Sequence, residues 1–123
     1  SSLDSLLAGS DFITLHVPLD QQTCRMLGDR EFKLMKHEAV LINTSRGKVI
    51  DESALLSALL EGRLAAAGLD VLAGEPNVAD HPLIKYAMDH NNIIITPHIA
   101  GFSPDAVRSV LSFSCRRIVK FFG

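Results

Sequence analysis

The 123-residue chain has only two cysteines, Cys24 and Cys115. They cannot build a disulfide framework, nor by themselves a zinc site. A reducing, cytoplasmic compartment is the default expectation. No apolar run approaches the roughly 18 residues of a membrane span. No basic segment followed by an apolar one opens the sequence, so neither a membrane nor a secretory leader is expected. An excess of one charge is missing too: 12 Lys and Arg against 14 Asp and Glu leave a net −2. Such a surface does not select nucleic acid. Charged residues make up 21% and hydrophobic ones 47%, which excludes a disordered tail and leaves enough apolar mass for one small core. No grouping of His, Cys and Asp has metal-ligand spacing, so no metal is expected.

What the sequence does contain is an alternation of short apolar runs and amphipathic stretches. Residues 12–17 form a β-branched run stopped by Pro18. Residues 39–44 form a second, 64–72 a third (weakened by alanines), and 92–96 a fourth, stopped by Pro97. The runs are nearly continuous in apolar residues, which predicts strands covered on both faces, as in a parallel sheet. Helical signals lie between them. Asp29 is placed to cap a helix reaching about His37. Asp51 is a good N-cap, with Glu52 in the first turn, a stripe of Ala54, Leu55, Ala58 and Leu59, and Gly62 at the far end. Ser103-Pro104 reads as N-cap and N1 of a last helix, with Val107, Val110, Leu111, Ile118 and Phe121 as its buried stripe. Residues 2–7 read as the tail of a helix that begins earlier. The expected fold is α/β, a Rossmann-like, doubly wound parallel sheet. No repeat, linker or domain boundary shows.

Ligands of such sheets bind outside the carboxyl ends of the strands, and these ends share one rim. The first strand is followed by His16-Val17-Pro18-Leu19 and the second by Asn43-Thr44-Ser45-Arg46-Gly47. After the third come Asp70 and Gly74-Glu75-Pro76, and after the fourth Thr96-Pro97-His98-Ile99-Ala100-Gly101. The rim thus gathers an arginine, two carboxylates and two histidines. A histidine moves a proton near neutral pH, a carboxylate beside it fixes its tautomer, and an arginine clamps a substrate carboxylate. This set suits interconversion of a 2-oxo acid and a 2-hydroxy acid, with hydride from a nicotinamide cofactor. For His16, a strand-end histidine with backbone partners and a cofactor contact are equal readings. His37, His81 and His90 fall in returns or loops and are expected to be solvated.

Asn43-Thr44-Ser45-Arg46-Gly47 with Val49 and Asp51, Gly68-Leu69-Asp70-Val71 with Glu75-Pro76, and Thr96-Pro97-His98-Ile99-Ala100 together resemble the D-isomer-specific 2-hydroxyacid dehydrogenase family. The resemblance covers nearly the whole chain. It implies catalytic roles for Arg46 (orienting the substrate), Glu75 (the acid paired with the histidine) and His98 (the proton donor). It implies an NAD site in which Val17 and Pro18 wall the adenosine and Thr44, Ser45 and Arg46 form the turn beside the nicotinamide. Asp70 would hold the carboxamide, and His98, Ile99, Ala100 and Gly101 would border the ring. It further implies a small-molecule 2-oxo or 2-hydroxy acid as partner and a homodimeric parent. NADP stays open as the alternative cofactor.

The departures are equally specific. No two of the eight glycines are separated by one residue, so the family's G-x-G-x-x-G turn is absent from these residues. Phe102 departs from the small residues usual just after the histidine. The expectation is therefore the second half of a cofactor domain from a longer enzyme, 1–123 being partial, with weak NAD binding and no useful turnover of its own. A formate or phosphite dehydrogenase relative is one alternative, although the formate branch carries glutamine where this chain has Glu75. A dinucleotide-sensing corepressor or binding module of the same fold is another.

Overall fold

In the computed structural model, which describes residues 2–122, the four apolar runs form four parallel strands. β1 is Phe12–Leu15, β2 Val40–Asn43, β3 Ala66–Leu69 and β4 Ile93–Ile95. Their order across the sheet is their order along the chain. Helix α1 (Leu3–Gly9) precedes β1. Helices α2 (Asp29–Leu34), α3 (Glu52–Leu60) and α4 (Pro82–Asp89) make the crossovers, and α5 (Pro104–Phe122) follows β4.

Strand register explains which side is covered. Ile13, Leu41, Ala67 and Ile93 lie abreast, as do Leu15, Asn43, Leu69 and Ile95. Both rows face one helix layer and join Leu7, Phe32, Leu55, Leu59 and Leu83 in a single core. Crossovers of one hand, all stepping in one direction, place successive helices on one face, and α1, α2, α3 and α4 touch in that sequence. The alternate row, Thr14, Ile42, Gly68 and Ile94, looks away. There Phe12 is 74% and Ile94 68% exposed. The expected cover on both faces is thus found on one face only among the described residues. Apolar continuity reported two apolar faces, but not what covers each.

The helix signals hold with corrections. Asp51 caps α3, its Oδ1 accepting from the Ser53 and Ala54 amides, and Gly62 just past the end has φ +66°. Asp29 is the first residue of α2 and not its cap. Gly28 is the cap, Glu31 Oε2 accepts from the Gly28 amide, and the helix stops before Met35. Helix α1 has its own start, because Ser2 Oγ accepts from the Ser5 amide; it is not the tail of an earlier helix. Ser103 caps α5 through the Ala106 amide. The stripe expected to be buried there is not: no residue of α5 is buried, and Val110, Ile118 and Phe121 are all exposed. Nothing among the described residues packs along it. Helix α4 is an element the sequence reading did not pick out. Its start is His81-Pro82, with proline in the first turn.

The Asp51 carboxyl is held at about 2, below its ordinary 3.8, first by the Ser53 hydroxyl and then by Arg25, which together outweigh the effect of burial. A lowered carboxyl contributes stability that is complete above its ordinary value and is lost as pH falls toward its folded value. Asp51→Ala is expected to cost about 1 kcal/mol in urea unfolding near neutral pH. The gap to wild type should shrink between about pH 4 and about pH 2; a pH-independent gap would show that the cap acts without its charge.

Candidate active site

The loop after β2 is shaped by a buried asparagine. Asn43 Nδ2 donates to the Arg46 carbonyl at 3.0 Å, and its Oδ1 accepts from the Ser45 amide at 3.0 Å and the Ser45 hydroxyl at 2.9 Å. The turn so formed leaves Arg46 exposed, with one guanidinium nitrogen donating to the Ser45 carbonyl at 2.6 Å. Gly47 follows and starts a short 3-10 turn, Gly47–Val49. A Cβ on Gly47 would lie 2.1 Å from the Leu72 carbonyl carbon and 2.2 Å from the Ala73 nitrogen. The loops after β2 and β3 therefore cross in backbone contact, which only glycine permits.

The loop after β1 stands beside that turn. His16, Val17, Pro18, Leu19, Thr44, Ser45 and Arg46 line a cleft of about 680 Å3, with an apolar wall on one side and a polar turn on the other. The His16 ring has a side-chain partner rather than the backbone: its Nε2 lies 2.9 Å from the Thr14 hydroxyl.

The loops after β3 and β4 are joined by two carboxylates. Asp70 is only 4% exposed. Its Oδ1 accepts from the Thr96 hydroxyl (2.5 Å) and the Ile99 amide (2.9 Å), and its Oδ2 from the Ala100 amide (2.9 Å). Burial works to raise this carboxyl, but the Thr96 hydroxyl, the two amides and nearby His98 outweigh it and hold it below its ordinary value. Between these anchored residues sits His98, with φ +56°. A left-handed conformation costs a residue with a side chain roughly 1–2 kcal/mol, and the hold on the next two amides keeps it there.

The second carboxylate is Glu75. Its Oε1 accepts from the Leu72 amide at 2.6 Å, and its Oε2 lies 2.7 Å from His98 Nδ1. Burial again works to raise the carboxyl, and the Leu72 amide and His98 reverse it, leaving Glu75 below the ordinary glutamate value. An ionised Glu75 can only accept, so Nδ1 carries the proton and Nε2 is left as the ring's reactive nitrogen. Leu19, Arg46, Gly47, Glu75 and His98 line one small cleft of about 210 Å3. A larger apolar groove, about 750 Å3, runs between α4 and β4 and meets this cleft at Glu75 and His98.

Most of the residues singled out from sequence thus meet. Val17, Pro18, Thr44, Ser45 and Arg46 share the first cleft, and Arg46, Glu75 and His98 the small one. Asp70, Ile99 and Ala100 line another, again with Thr44. Gly101 lines none of these. His81, expected to be solvated, is mostly buried and pairs with Glu52. His90 stacks on Tyr86 with ring centroids 3.8 Å apart. Sequence reasoning missed the structural work of Asn43 and Thr96, and it took Glu52 only as a first-turn acid. Asn43 had a legible signal, a lone polar side chain closing an apolar run. Among the described residues no group of three or more His, Cys, Asp or Glu is placed to hold a metal, and no helix is long and apolar enough to cross a membrane.

Comparison with known proteins identifies the family. The model of the D-isomer specific 2-hydroxyacid dehydrogenase NAD binding domain matches residues 1–100. The chain belongs to this family. It is 42% identical over 119 residues to a glyoxylate reductase of Korarchaeum cryptofilum, covering 97% of this chain and 35% of that protein. It superposes on the D-isomer specific 2-hydroxyacid dehydrogenase of Lactobacillus delbrueckii ssp. bulgaricus, solved with NAD, at a TM-score of 0.84 and 33% identity, covering 98% of this chain and 40% of that one. An acyclic imino acid reductase solved with NADPH and D-arginine gives a TM-score of 0.83 at 35% identity, covering 99% of this chain and 38% of that one. The chain thus spans about a third of the length of the curated relatives it matches. The chain has a Rossmann-like parallel sheet, as expected.

Gly47→Ala is expected to destabilise the chain by about 3 kcal/mol, the upper end for overpacking, because its new methyl meets backbone that cannot step aside. Urea unfolding checks this, and a loss under about 1 kcal/mol would mean that the loops separate freely. Asp70→Asn puts an amide NH2 where an acceptor is needed and strands one loop N–H, at a cost of about 1–3 kcal/mol. The stability due to the Asp70 charge is present above the ordinary aspartate value and is lost as pH falls through its lowered folded value. The asparagine variant should lack that acid-sensitive component in unfolding curves measured across the acid range.

Proposed function

We propose that residues 1–123 form the later part of the NAD-binding domain of an oxidoreductase that moves hydride between NAD(H) and a 2-oxo or 2-hydroxy acid. The observation that carries this reading is the 2.7 Å pair of His98 Nδ1 and Glu75, opening onto the same cleft as Arg46. The cofactor fits the neighbouring cleft in kind. Val17 and Pro18 offer an apolar wall for adenosine, and the turn of Thr44, Ser45 and Arg46 offers polar contacts toward the nicotinamide. Asp70, Ile99 and Ala100 lie on the adjoining side, beyond Thr44. No glycine turn among these residues would cradle the pyrophosphate. NAD(H), when bound, supplies the hydride to C2 of the oxo acid, or takes it from the hydroxy acid.

The side chains do the rest. Arg46 pairs with the substrate carboxylate and polarises the C2 carbonyl. His98 delivers a proton from Nε2 to the carbonyl oxygen during reduction and takes it back during oxidation. Glu75 fixes the ring through Nδ1 and stabilises it when both nitrogens are protonated. Formate oxidation moves no proton and has no use for such a pair, so Glu75 beside His98 favours the oxo-acid reading.

The full-length protein is expected to oxidise NADH, or NADPH, in the presence of a 2-oxo acid. His98→Ala should lower kcat/KM by roughly 10²–10⁴-fold, the usual size of acid–base catalysis. Arg46→Lys keeps the charge but loses the bidentate fork, and should raise KM for the oxo acid far more than KM for the cofactor. Full turnover by His98→Ala would refute the assignment. Cofactor binding with no turnover of any 2-oxo acid would replace it with the binding-module reading.

A further inference from the structure

The nearly buried pair of Glu52 and His81 plays no part in the chemistry above, yet every polar atom of the pair is committed. Both side chains are 13% exposed. His81 Nδ1 lies 3.2 Å from the Leu83 amide, at the start of α4. That amide can only donate, so Nδ1 accepts and carries no proton. The ring proton is on Nε2, which donates to Glu52 Oε2 at 3.0 Å. The other oxygen, Glu52 Oε1, accepts from the Ala73 amide at 2.8 Å.

Ala73 is where the two site loops cross. Its peptide with Leu72 rests on Gly47, the residue after Arg46. The preceding amide, that of Leu72, holds Glu75, and Glu75 holds His98. Two neighbouring amides are therefore gripped by two carboxylates, one from within the loop and one from α3. Hydrogen bonds to a charged acceptor are the stronger kind. Resting on the reading of Arg46, Glu75 and His98 given above, we propose that Glu52 and His81 are positioning residues of this site. Glu52, aimed by the His81 Nε2–H, clamps the Ala73 amide and so sets where Glu75 meets His98. Neither touches substrate.

The clamp needs a carboxylate. Glutamine at position 52 has one acceptor oxygen for two donors, the Ala73 amide and the His81 ring. His81 cannot relieve the conflict by moving its proton, because Nδ1 is already taken by the Leu83 amide. Glu52→Gln keeps shape and volume and strands one N–H. His81→Asn keeps a good cap for α4 and removes the ring donor. The two variants therefore separate loss of the clamp from loss of a helix start.

The test has two arms. In the full-length protein, 15N shifts of the His98 ring above neutral pH report which nitrogen is protonated. Wild type should show the Nδ1–H form, and both variants a mixture of the two tautomers. In the full-length protein, Glu52→Gln should lower kcat about tenfold while KM for the cofactor stays within about twofold, the pattern of a misplaced reacting group. Unchanged ring shifts together with kcat within about twofold of wild type would overturn the proposal. If Glu52→Gln fails to fold, His81→Asn decides alone: a wild-type ring pattern in that variant refutes the clamp. Should wild type turn over no 2-oxo acid, the functional reading fails, and the ring shifts still decide whether Glu52 and His81 position Glu75.

Discussion

The peptide joining Leu72 and Ala73 rests on the Cα of Gly47, closer than any side chain allows, and the site depends on that contact. Arg46 precedes Gly47 in one loop and Glu75 follows Ala73 in the other, so the crossing sets how far a guanidinium can stand from the carboxylate that holds the histidine. Hydrogen bonds alone would leave such loops free to slide, since each is satisfied over a range of angles and lengths. A steric contact between two backbones has almost no such range. The loop after β4 is then tied in by Asp70 and Glu75, which reach it from the β3 side at two points. Three loops become one rigid rim, which is what placing reacting groups to within fractions of an ångström requires.

Electrostatics reinforces the same arrangement. Asp70 raises the energy of ionised Glu75, because like charges repel, and burial penalises both. Each stays ionised because fixed donors point at it: the Thr96 hydroxyl and the Ala100 and Ile99 amides at Asp70, the Leu72 amide and the His98 ring at Glu75. These amides are immobile once the loops are set. Asp70 and Glu75 are thus held in place around His98 without any rearrangement of the loops. The left-handed backbone at His98 is part of this scheme, since it lets the chain turn back so that residues 99 and 100 both reach Asp70. The strain at one residue is offset by two charge-assisted hydrogen bonds.

Much of this was legible in the sequence, for identifiable reasons. Each apolar run gives way to a polar residue, His16, Asn43, Asp70 or Thr96, so the rim could be read as a list of loops. Asp51 and Ser103 announced their helices because a cap is a local event. Arg46, Glu75 and His98, the proposed catalytic residues, stood out through motif resemblance, and their spatial meeting followed from the order of parallel strands. What stayed hidden depends on distant partners. Helix α4 begins on a histidine whose capping role needs the amide two residues on, and whose burial needs Glu52 from α3. Glu52 looked like an ordinary first-turn acid, because nothing local shows that Ala73 will lie within reach. The exposed stripe of α5 was unreadable for the opposite reason. Amphipathic spacing shows which face is apolar, and only packing shows whether anything meets it.

The one-sided sheet explains why these distant partners matter so much. Only the row of Leu15, Asn43, Leu69 and Ile95 carries core packing directly to the rim. Asn43 lies in that row, buried under the helix layer, and shapes the Arg46 loop from below. Asp70 comes immediately after Leu69 and is buried as well. The clamp from Glu52 arrives through α3, the helix between these two strands. The side chains proposed to react are therefore steered from the covered side of the sheet, where packing is dense, and not from the open row of Thr14, Ile42, Gly68 and Ile94. Order at the site then requires only that the helix layer stay in place. The strand-end loops are accurately placed because the residues that steer them, Asn43 and Asp70, are buried beside the core, with their polar atoms turned toward the rim.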